Sequence, residues 1–165
     1  MDLVRISRHL MTGSWQARRA FSRATLRSIE RTIGESEQSH AGEIRFAVEA
    51  TLPLSLLLSG HSSRERAVEL FSRLRIWDTE HNNGVLVYVL LADRAVEIVA
   101  DRGINAKIAP HEWEAVCNDM RLAYGRGEFK QGSVAGLEAI AQHLSLHFAA
   151  GTGSLHELPD APVVL

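Results

Sequence analysis

The feature that most constrains the fold is an uninterrupted apolar run at residues 85–92, VLVYVLLA in one-letter code. The run is apolar on both of the faces that a strand would present, and Gly84 and Asp93 bound it. Such a strand is typical of the centre of a sheet that helices cover on both sides. Eight residues are too few to span a membrane as a helix. The run therefore predicts an α/β fold organised around one buried strand.

Two further strands are predicted beside this one. Residues 43–50 alternate polar and apolar side chains, which is typical of a half-buried strand. The two-residue connection Asp93-Arg94 joins the central strand to residues 95–100 and predicts an antiparallel hairpin. A capping box, SSRE at residues 62–65, begins a helix between the first two strands. Those two strands are therefore predicted to be parallel, with a right-handed crossover.

Helical spacing of apolar residues predicts the remaining elements. Helices are expected from residue 22 to about 40, from Pro110 to about 124, and from about 131 to 148. Residues 51–61 are expected to form a loop. The predicted order is helix, strand, helix, strand, hairpin strand, helix, helix. This order corresponds to a three-layer α/β/α sandwich with a small mixed sheet.

Length, charge and cysteine content exclude several classes of protein. A chain of 165 residues suits one compact domain, and a net charge of −2 argues against nucleic acid as a partner. The single Cys117 excludes an internal disulfide framework and any CxxC metal or redox site. The first eleven residues lack the apolar run of a secretory signal, so we expect a cytoplasmic location.

The chain is divided into a basic N-terminal arm at residues 1–21, a domain at 22–148 and a C-terminal tail at 149–165. Residues 1–33 carry seven arginines against two acidic residues, whereas the remainder has an excess of acidic residues. Four arginines of the arm are candidates for interaction: Arg5, Arg8, Arg18 and Arg19. Such an arm suits docking on its own domain, on a protein partner, or peripherally on an anionic membrane surface. Gly13 interrupts its apolar stripe, which favours docking on its own domain.

Several short motifs occur in a characteristic order between about residues 22 and 148. They are Gly42-Glu43-Ile44, Asn83-Gly84-Val85-Leu86-Val87, Leu91-Ala92-Asp93-Arg94-Ala95-Val96-Glu97-Ile98, Arg102-Gly103-Ile104, and Gly127 with Phe129. Together they resemble the TPM domain family, named for a thylakoid lumen protein, a photosystem II repair factor and a worm receptor modulator. The resemblance implies an α/β/α sandwich, in agreement with the fold that the patterns predict.

The resemblance also implies candidate functions. Plant members of the family are described as acid phosphatases, and some members bind calcium or another divalent ion at acidic loops. Many other members are exported or membrane-tethered and have no assigned activity. This chain departs from the family pattern, because residues 13–21 lack the carboxylate that members often carry before the first helix. The export signal is also missing from its N-terminus.

The acidic loop before the central strand is a candidate metal site. Asp78 and Glu80 precede the second parallel strand, and Asp101 returns toward them at the end of the antiparallel third strand. Three carboxylates with backbone oxygens suit calcium or magnesium, whereas Asp93 is expected at the opposite edge of the sheet. Arg102 is a candidate phosphate ligand. The alternative is an ordinary loop in which these side chains form local turns.

Two other features indicate chemistry less specifically. His143 and His147 lie one helical turn apart, but the glutamate of the zinc-protease motif is absent. Two surface histidines near a helix end are the simpler interpretation. Cys117 falls on the apolar stripe of its helix and is expected to be a core thiol.

Three functional hypotheses remain open at this point. The first is a noncatalytic interaction or modulator domain that binds a protein partner through a groove of the sandwich and the basic arm. The second is a divalent-metal-dependent phosphatase that acts on phosphomonoesters at the candidate metal site and Arg102. The third is peripheral membrane attachment through residues 1–21. We prefer the first, because a nucleophile, a base and a charge-stabilising group cannot be assigned together.

Overall fold

The structure, a computed structural model, describes residues 3–149 and 157–165. Its centre is a four-stranded mixed sheet with the strand order β3-β2-β1-β4. The strands are β1 (Glu43–Glu49), β2 (Gly84–Leu90), β3 (Ala95–Ala100) and β4 (Val163–Val164). β2 pairs in parallel with β1 and antiparallel with β3, so the predicted mixed sheet and its antiparallel hairpin are confirmed. The predicted two-residue connection is wrong, because residues 91–94 join the two strands.

Eight helices are present in the part of the chain that the structure describes. They are α1 (Leu3–Met11), α2 (Ser14–Ala20), α3 (Arg23–Ser36), α4 (Leu54–Leu58), α5 (Ser63–Arg73), α6 (Arg102–Asn105), α7 (Pro110–Gly125) and α8 (Phe129–His147). The predicted capping box is present at the start of α5, where the Ser62 hydroxyl accepts from the Glu65 amide at 3.1 Å. The expected loop at residues 51–61 contains the short helix α4, a single turn too brief to show a helical pattern in the sequence.

The register of the parallel pair defines two edges of the sheet. β1 and β2 run side by side from Glu43 opposite Gly84 to Glu49 opposite Leu90. We call the end marked by Glu43 and Gly84 the amino edge, and the end marked by Glu49 and Leu90 the carboxyl edge. The candidate functional residues in and next to the sheet lie at one of these two edges, or along the side of β3 that no other strand pairs with.

Apolar side chains cover both faces of the sheet and form two core layers. On one face, Phe46 and Val87 belong to a cluster with residues of α3, α7 and α8. On the other, Leu86 and Tyr88 belong to a cluster with residues of α4 and α5. Helices therefore lie on both sides of β2, as its two-sided apolar run predicts.

The expectation of a half-buried β1 is wrong, because all seven of its residues are buried. Its polar side chains are covered by α5 and by residues 157–165 rather than by water. Glu43 Oε2 accepts from the Leu158 amide at 3.1 Å, and Arg45 Nη1 donates to the Ala161 carbonyl at 3.2 Å. The tail that provides this cover also contributes β4, which is parallel to β1. Residues 150–156 of the predicted tail lie outside the described residues.

A charged network is buried at the carboxyl edge between β1, β2 and α5. Arg66 donates from Nε and Nη2 to the two carboxylate oxygens of Glu49 at 2.9 and 2.8 Å. The Tyr88 hydroxyl donates to the same carboxylate at 2.7 Å. The hydrogen bonds that Arg66 donates to Glu49 raise the pKa of Arg66, and burial beside Glu49 raises the pKa of Tyr88. Arg66 therefore stays charged and Tyr88 stays a hydrogen-bond donor.

The predicted N-terminal arm packs on the domain through both of its helices. Ala17 of α2 is buried, and the Phe21 ring that follows α2 packs against Phe46, Tyr124 and Phe129 in the core. Docking of the arm on its own domain, which the sequence favoured, is what the structure shows for residues 3–21.

α1 is held at the turn between β2 and β3. Arg5 donates from Nε and Nη2 to the Asp93 carboxylate at 2.8 to 3.1 Å, and its Nη2 also bonds the His61 carbonyl at 2.7 Å. His9 is buried: its Nδ1 accepts from the Leu52 amide at 3.1 Å, and its Nε2 lies 3.1 Å from Asp93 Oδ1. Because Nδ1 accepts, Nε2 carries the proton and donates to Asp93. Polar contacts thus anchor α1.

We predict that Glu49→Gln destabilises the fold strongly. The change keeps the size of the side chain but removes the buried counter-ion of Arg66 and leaves only the half-exposed Glu69. Removing one partner of a buried ion pair typically costs about 3–5 kcal/mol. Urea unfolding measures the loss. The matched control is Glu69→Gln, which removes a half-exposed partner of the same arginine and should cost less than about 1 kcal/mol. Equal losses in the two variants would contradict this account.

We also predict a pH-dependent contribution from Asp93. Burial raises the pKa of Asp93, but hydrogen bonds from Arg5 and His9 outweigh burial and hold that pKa below its ordinary value of 3.8. The carboxylate therefore stabilises the fold above pH about 4, and this stability is lost as the pH falls through the lowered pKa. Asp93→Asn should lower the free energy of unfolding at pH 7 by about 1–3 kcal/mol.

The difference in the free energy of unfolding between wild type and Asp93→Asn should become smaller when urea unfolding is repeated at decreasing pH below 4. Asp119→Asn, an exposed aspartate of α7, is the control and should behave as wild type. A gap that stays constant down to pH 2 would show that the Asp93 charge does not hold α1.

Candidate functional site

The residues predicted to bind a metal lie around the amino edge. Asp78 and Glu80 are exposed in the loop before β2, and Asp101 is buried directly after β3. The Asp101 amide donates to the Gly84 carbonyl at 2.9 Å, so the antiparallel return of β3 places this residue at the start of β2. The predicted direction of that return is therefore correct.

Asp101 begins the short helix α6. Its Oδ1 accepts from the Arg102 amide at 2.6 Å, and its Oδ2 is buried with no hydrogen-bond partner among the described residues. The Gly103 amide donates to the Asn82 carbonyl, and a Cβ atom on Gly103 would lie 2.6 Å from that same oxygen. This close contact with the loop before β2 explains why a glycine follows Arg102.

The predicted metal ligands do not form a complete site in the structure. Residues 3–149 and 157–165 contain no group of three His, Cys, Asp or Glu side chains arranged to hold a metal ion. Glu80 instead lies beside the tail, where its amide donates to the Glu157 carboxylate at 3.2 and 3.3 Å. Binding of calcium or magnesium by Asp78, Glu80 and Asp101 stays a prediction, as does phosphate binding by the exposed Arg102.

The carboxylates of the carboxyl edge are held by cations of the same chain. Open α/β sheets usually bind ligands beyond the carboxyl ends of their strands. Here Arg66 bonds Glu49, and Arg5 bonds Asp93, with Arg8 Nη2 a further 3.8 Å from Asp93 Oδ1. Two of the four candidate interaction arginines, Arg5 and Arg8, therefore contact the domain itself. Arg18 and Arg19 are exposed on α2.

The two histidines of α8 have different surroundings. His143 Nδ1 lies 3.5 Å from Glu112 Oε1, and its ring packs edge-on against Trp113 with centroids 5.7 Å apart. His147 is exposed at the last turn of the helix. The simpler interpretation of this pair, two separate histidines near a helix end, agrees with these contacts.

A cleft that sequence reasoning missed runs along the open side of β3, between α5 and α7. We call it the β3 cleft; its volume is about 470 Å³. Its walls combine apolar and charged side chains, namely Arg64 from α5, Val96 and Ile98 from β3, and Trp113, Cys117 and Arg121 from α7. The volume falls within the range of about 300–1,000 Å³ typical of ligand pockets.

The backbone of β3 faces this cleft. Asp101 and Gly84 form a hydrogen-bonded pair, so the alternation of an antiparallel ladder directs the amide and carbonyl groups of Val96, Ile98 and Ala100 to the open side. Arg64 Nη1 donates to the Ile98 carbonyl at 2.5 Å, and Asn105 Nδ2 donates to the Ala100 carbonyl at 2.6 Å. Side chains thus occupy positions that a further strand would take.

The titratable and polar groups of the cleft suit binding rather than nucleophilic chemistry. Burial raises the pKa of the Cys117 thiol to about 11, so the thiol stays protonated near neutral pH. The prediction of a core thiol is in line with this burial. The Trp113 indole N–H is buried without a hydrogen-bond partner among the described residues. The sequence offered no signal for the cleft, because strand order decides which strand is at the edge.

Comparison with known proteins agrees with the fold. The model of the TPM domain family matches residues 16–143 of the chain. No curated protein matches it. The fold resembles the NMR structure of the BA42 protein from the psychrophilic bacterium Bizionia argentinensis. The two chains are 30% identical, the match covers 86% of this chain and 92% of that one, and the TM-score is 0.74.

A second solved structure shows the same fold at lower similarity. It is the N-terminal domain of a protein from P. gingivalis, 19% identical, with 80% of this chain and 82% of that chain covered and a TM-score of 0.63. The family match spans most of the chain and includes the strands β1, β2 and β3, the helices α5, α6 and α7, and α8 as far as residue 143. This chain therefore belongs to the TPM domain family.

Proposed function

We propose that this TPM domain is a noncatalytic interaction domain that modulates a protein partner by binding an extended segment of it in the β3 cleft. The observation that carries the proposal is the open side of β3, whose backbone faces a cleft of about 470 Å³. Extended peptides add to exposed sheet edges through backbone hydrogen bonds, and side-chain pockets supply specificity.

The polar groups of the cleft support a peptide as the occupant. A peptide backbone needs donors and acceptors in alternation, and β3 directs both toward the cleft at Val96 and Ile98. Of these, the Ile98 amide contacts the Cys117 sulfur and the Ile98 carbonyl accepts from Arg64. Arg64 and Asn105, which bond β3 carbonyls, are side chains on flexible stems that a bound strand can displace. The lining of the cleft includes side chains of both charges, namely Arg64, Arg121, Glu97 and Glu114. This mixture suits a peptide better than a simple anion.

The state of the candidate nucleophiles supports a noncatalytic role. The Cys117 thiol of the cleft has a raised pKa, and Glu49 and Asp93 at the carboxyl edge are each bonded to an arginine. Among the described residues we assign no nucleophile together with a base and an anion-stabilising group around one cavity.

We predict that the purified protein does not hydrolyse a generic phosphomonoester, with or without calcium or magnesium. Para-nitrophenyl phosphate is the substrate, and release of the phenolate measures turnover. The test includes Arg102→Ala, which changes an exposed side chain and should not affect the fold. Metal-dependent turnover that Arg102→Ala abolishes would contradict the proposal and favour the phosphatase hypothesis.

We predict that peptides selected from a random library on the wild-type protein bind in the β3 cleft. Asn118 is exposed on α7 and lines the cleft, so Asn118→Trp should block it and weaken binding at least tenfold in fluorescence titration. Glu138→Trp, on an exposed position of α8, is the matched control and should bind as wild type. Amide hydrogen exchange supplies a second measurement, since an added strand should protect the Val96 amide.

Either of two results would overturn this proposal. One is equal binding of the selected peptides by Asn118→Trp and wild type. The other is a Val96 amide whose exchange rate does not change when a peptide binds.

A further inference from the structure

α1 presents most of its apolar side chains outward, whereas Ile6 packs against the core layer formed with α4 and α5. Leu3, Val4, Leu10 and Met11 are between 70% and 78% exposed, whereas Arg5 is mostly buried and His9 is buried against the domain. A surface helix of a globular protein usually has the opposite arrangement, with its apolar face toward the core. Asp93 explains this orientation of α1. Its carboxylate accepts hydrogen bonds from Arg5 and His9, and these bonds hold the polar side of the helix against the domain.

Two neighbouring helices add exposed apolar side chains. α4 lies beside α1, since its flanking residues Leu52 and His61 both bond side chains of α1. Leu54 and Leu58 of α4 are 56% and 54% exposed, and Trp15 of α2 is 60% exposed. Of the thirteen large apolar side chains exposed in the described residues, seven belong to these three helices.

The charge of these helices has one sign. Residues 3–29 contain six arginines and no acidic residue, and residues 50–63 contain neither aspartate nor glutamate. On α2, Arg18 and Arg19 follow Trp15 at helical spacing on the side opposite buried Ala17. The carboxylate that contacts α1 is Asp93, whose charge Arg5 neutralises.

We propose that the outer surface of α1, α2 and α4 attaches the protein peripherally to an anionic lipid surface. We call these residues the α1–α4 face. Exposed leucine, methionine and tryptophan side chains beside arginines are typical of helices that lie in the plane of a membrane interface. Arginine stems bury along the apolar layer while their guanidinium groups reach the lipid phosphates.

A lipid surface fits this face better than a second copy of the chain. Two copies joined through it would bring the Arg8, Arg18 and Arg19 side chains of each near those of the other, with few carboxylates to offset the repulsion. In the described residues, no helix is both long and apolar enough to cross a bilayer. The proposed attachment is interfacial, because the exposed apolar side chains of α1 lie on the side of the helix opposite Arg5 and His9. It uses different residues from the β3 cleft and does not depend on peptide binding.

Vesicle co-sedimentation tests the proposal with the full chain. The wild type should bind vesicles of phosphatidylcholine with phosphatidylserine, and bind vesicles of phosphatidylcholine alone much less. Added salt should release it, because screening shortens the reach of the arginine charges. Equal binding to both kinds of vesicle, or no binding to either at low salt, would overturn the proposal.

Paired variants separate the two contributions to binding. Leu10→Gln/Met11→Gln should weaken binding at least tenfold, whereas Leu122→Gln/Leu146→Gln, on exposed positions of α7 and α8, should have no effect. Arg18→Gln/Arg19→Gln should weaken binding roughly 25-fold, at about fivefold for each arginine. Arg31→Gln/Lys130→Gln is the control for loss of exposed charge and should bind as wild type.

A spectroscopic measurement adds a result from the wild-type protein itself. Brominated lipid should quench tryptophan fluorescence in the wild type, and Trp15→Phe should abolish the quenching although the exposed Trp77 is retained. Quenching that persists in Trp15→Phe would overturn the proposal. A second outcome would also overturn it. The wild type would fail to bind vesicles and would form a dimer in sedimentation equilibrium, and Leu10→Gln/Met11→Gln would dissociate that dimer. The α1–α4 face would then join two copies of the chain.

Discussion

Burial of the Glu49 carboxylate at the end of β1 is the constraint on which the carboxyl edge depends. A carboxylate removed from water needs hydrogen bonds and an opposite charge nearby. Arg66 supplies both from α5, and Tyr88 supplies a further hydrogen bond from β2. Because the planar guanidinium bonds both carboxylate oxygens, it restrains the orientation of α5 as well as its contact with the sheet. One charged pair thus places the helix that covers the second face of the sheet.

The same requirement operates at Asp93 and determines how α1 lies on the domain. The turn between β2 and β3 brings a carboxylate to the carboxyl edge, and Arg5 and His9 satisfy it. With these polar side chains turned inward, Leu3, Val4 and Met11 face outward. The exposed apolar surface of α1 is therefore a consequence of a partly buried charge, and it contributes to the proposed attachment to lipid.

Much of the fold follows from local patterns in the sequence, whereas the candidate sites do not. The two-sided apolar run of β2, the capping box at Ser62 and the short Asp93-Arg94 turn predict the sheet and its crossover. Asp101 is also correctly placed beside the start of β2, since strand direction alone decides this. Whether Asp101 meets the side chains of Asp78 and Glu80 depends on the path of the loop before β2, and no local pattern encodes that path. The β3 cleft depends on strand order, which pairs residues far apart in the chain.

By itself, the sequence determined which segments are strands and helices, because side-chain periodicity and capping residues act over a few residues. It also determined the membership of the family, because its motifs keep their order along the chain. Only the tertiary structure decided that β1 is fully buried, that α1 turns its apolar side outward, and that β3 borders an open cleft. These features depend on contacts between residues such as Arg5 and Asp93, which are 88 positions apart. Alternation of polar and apolar residues marks which side chains share a face, but whether water, a helix or a charged partner covers that face is decided by packing.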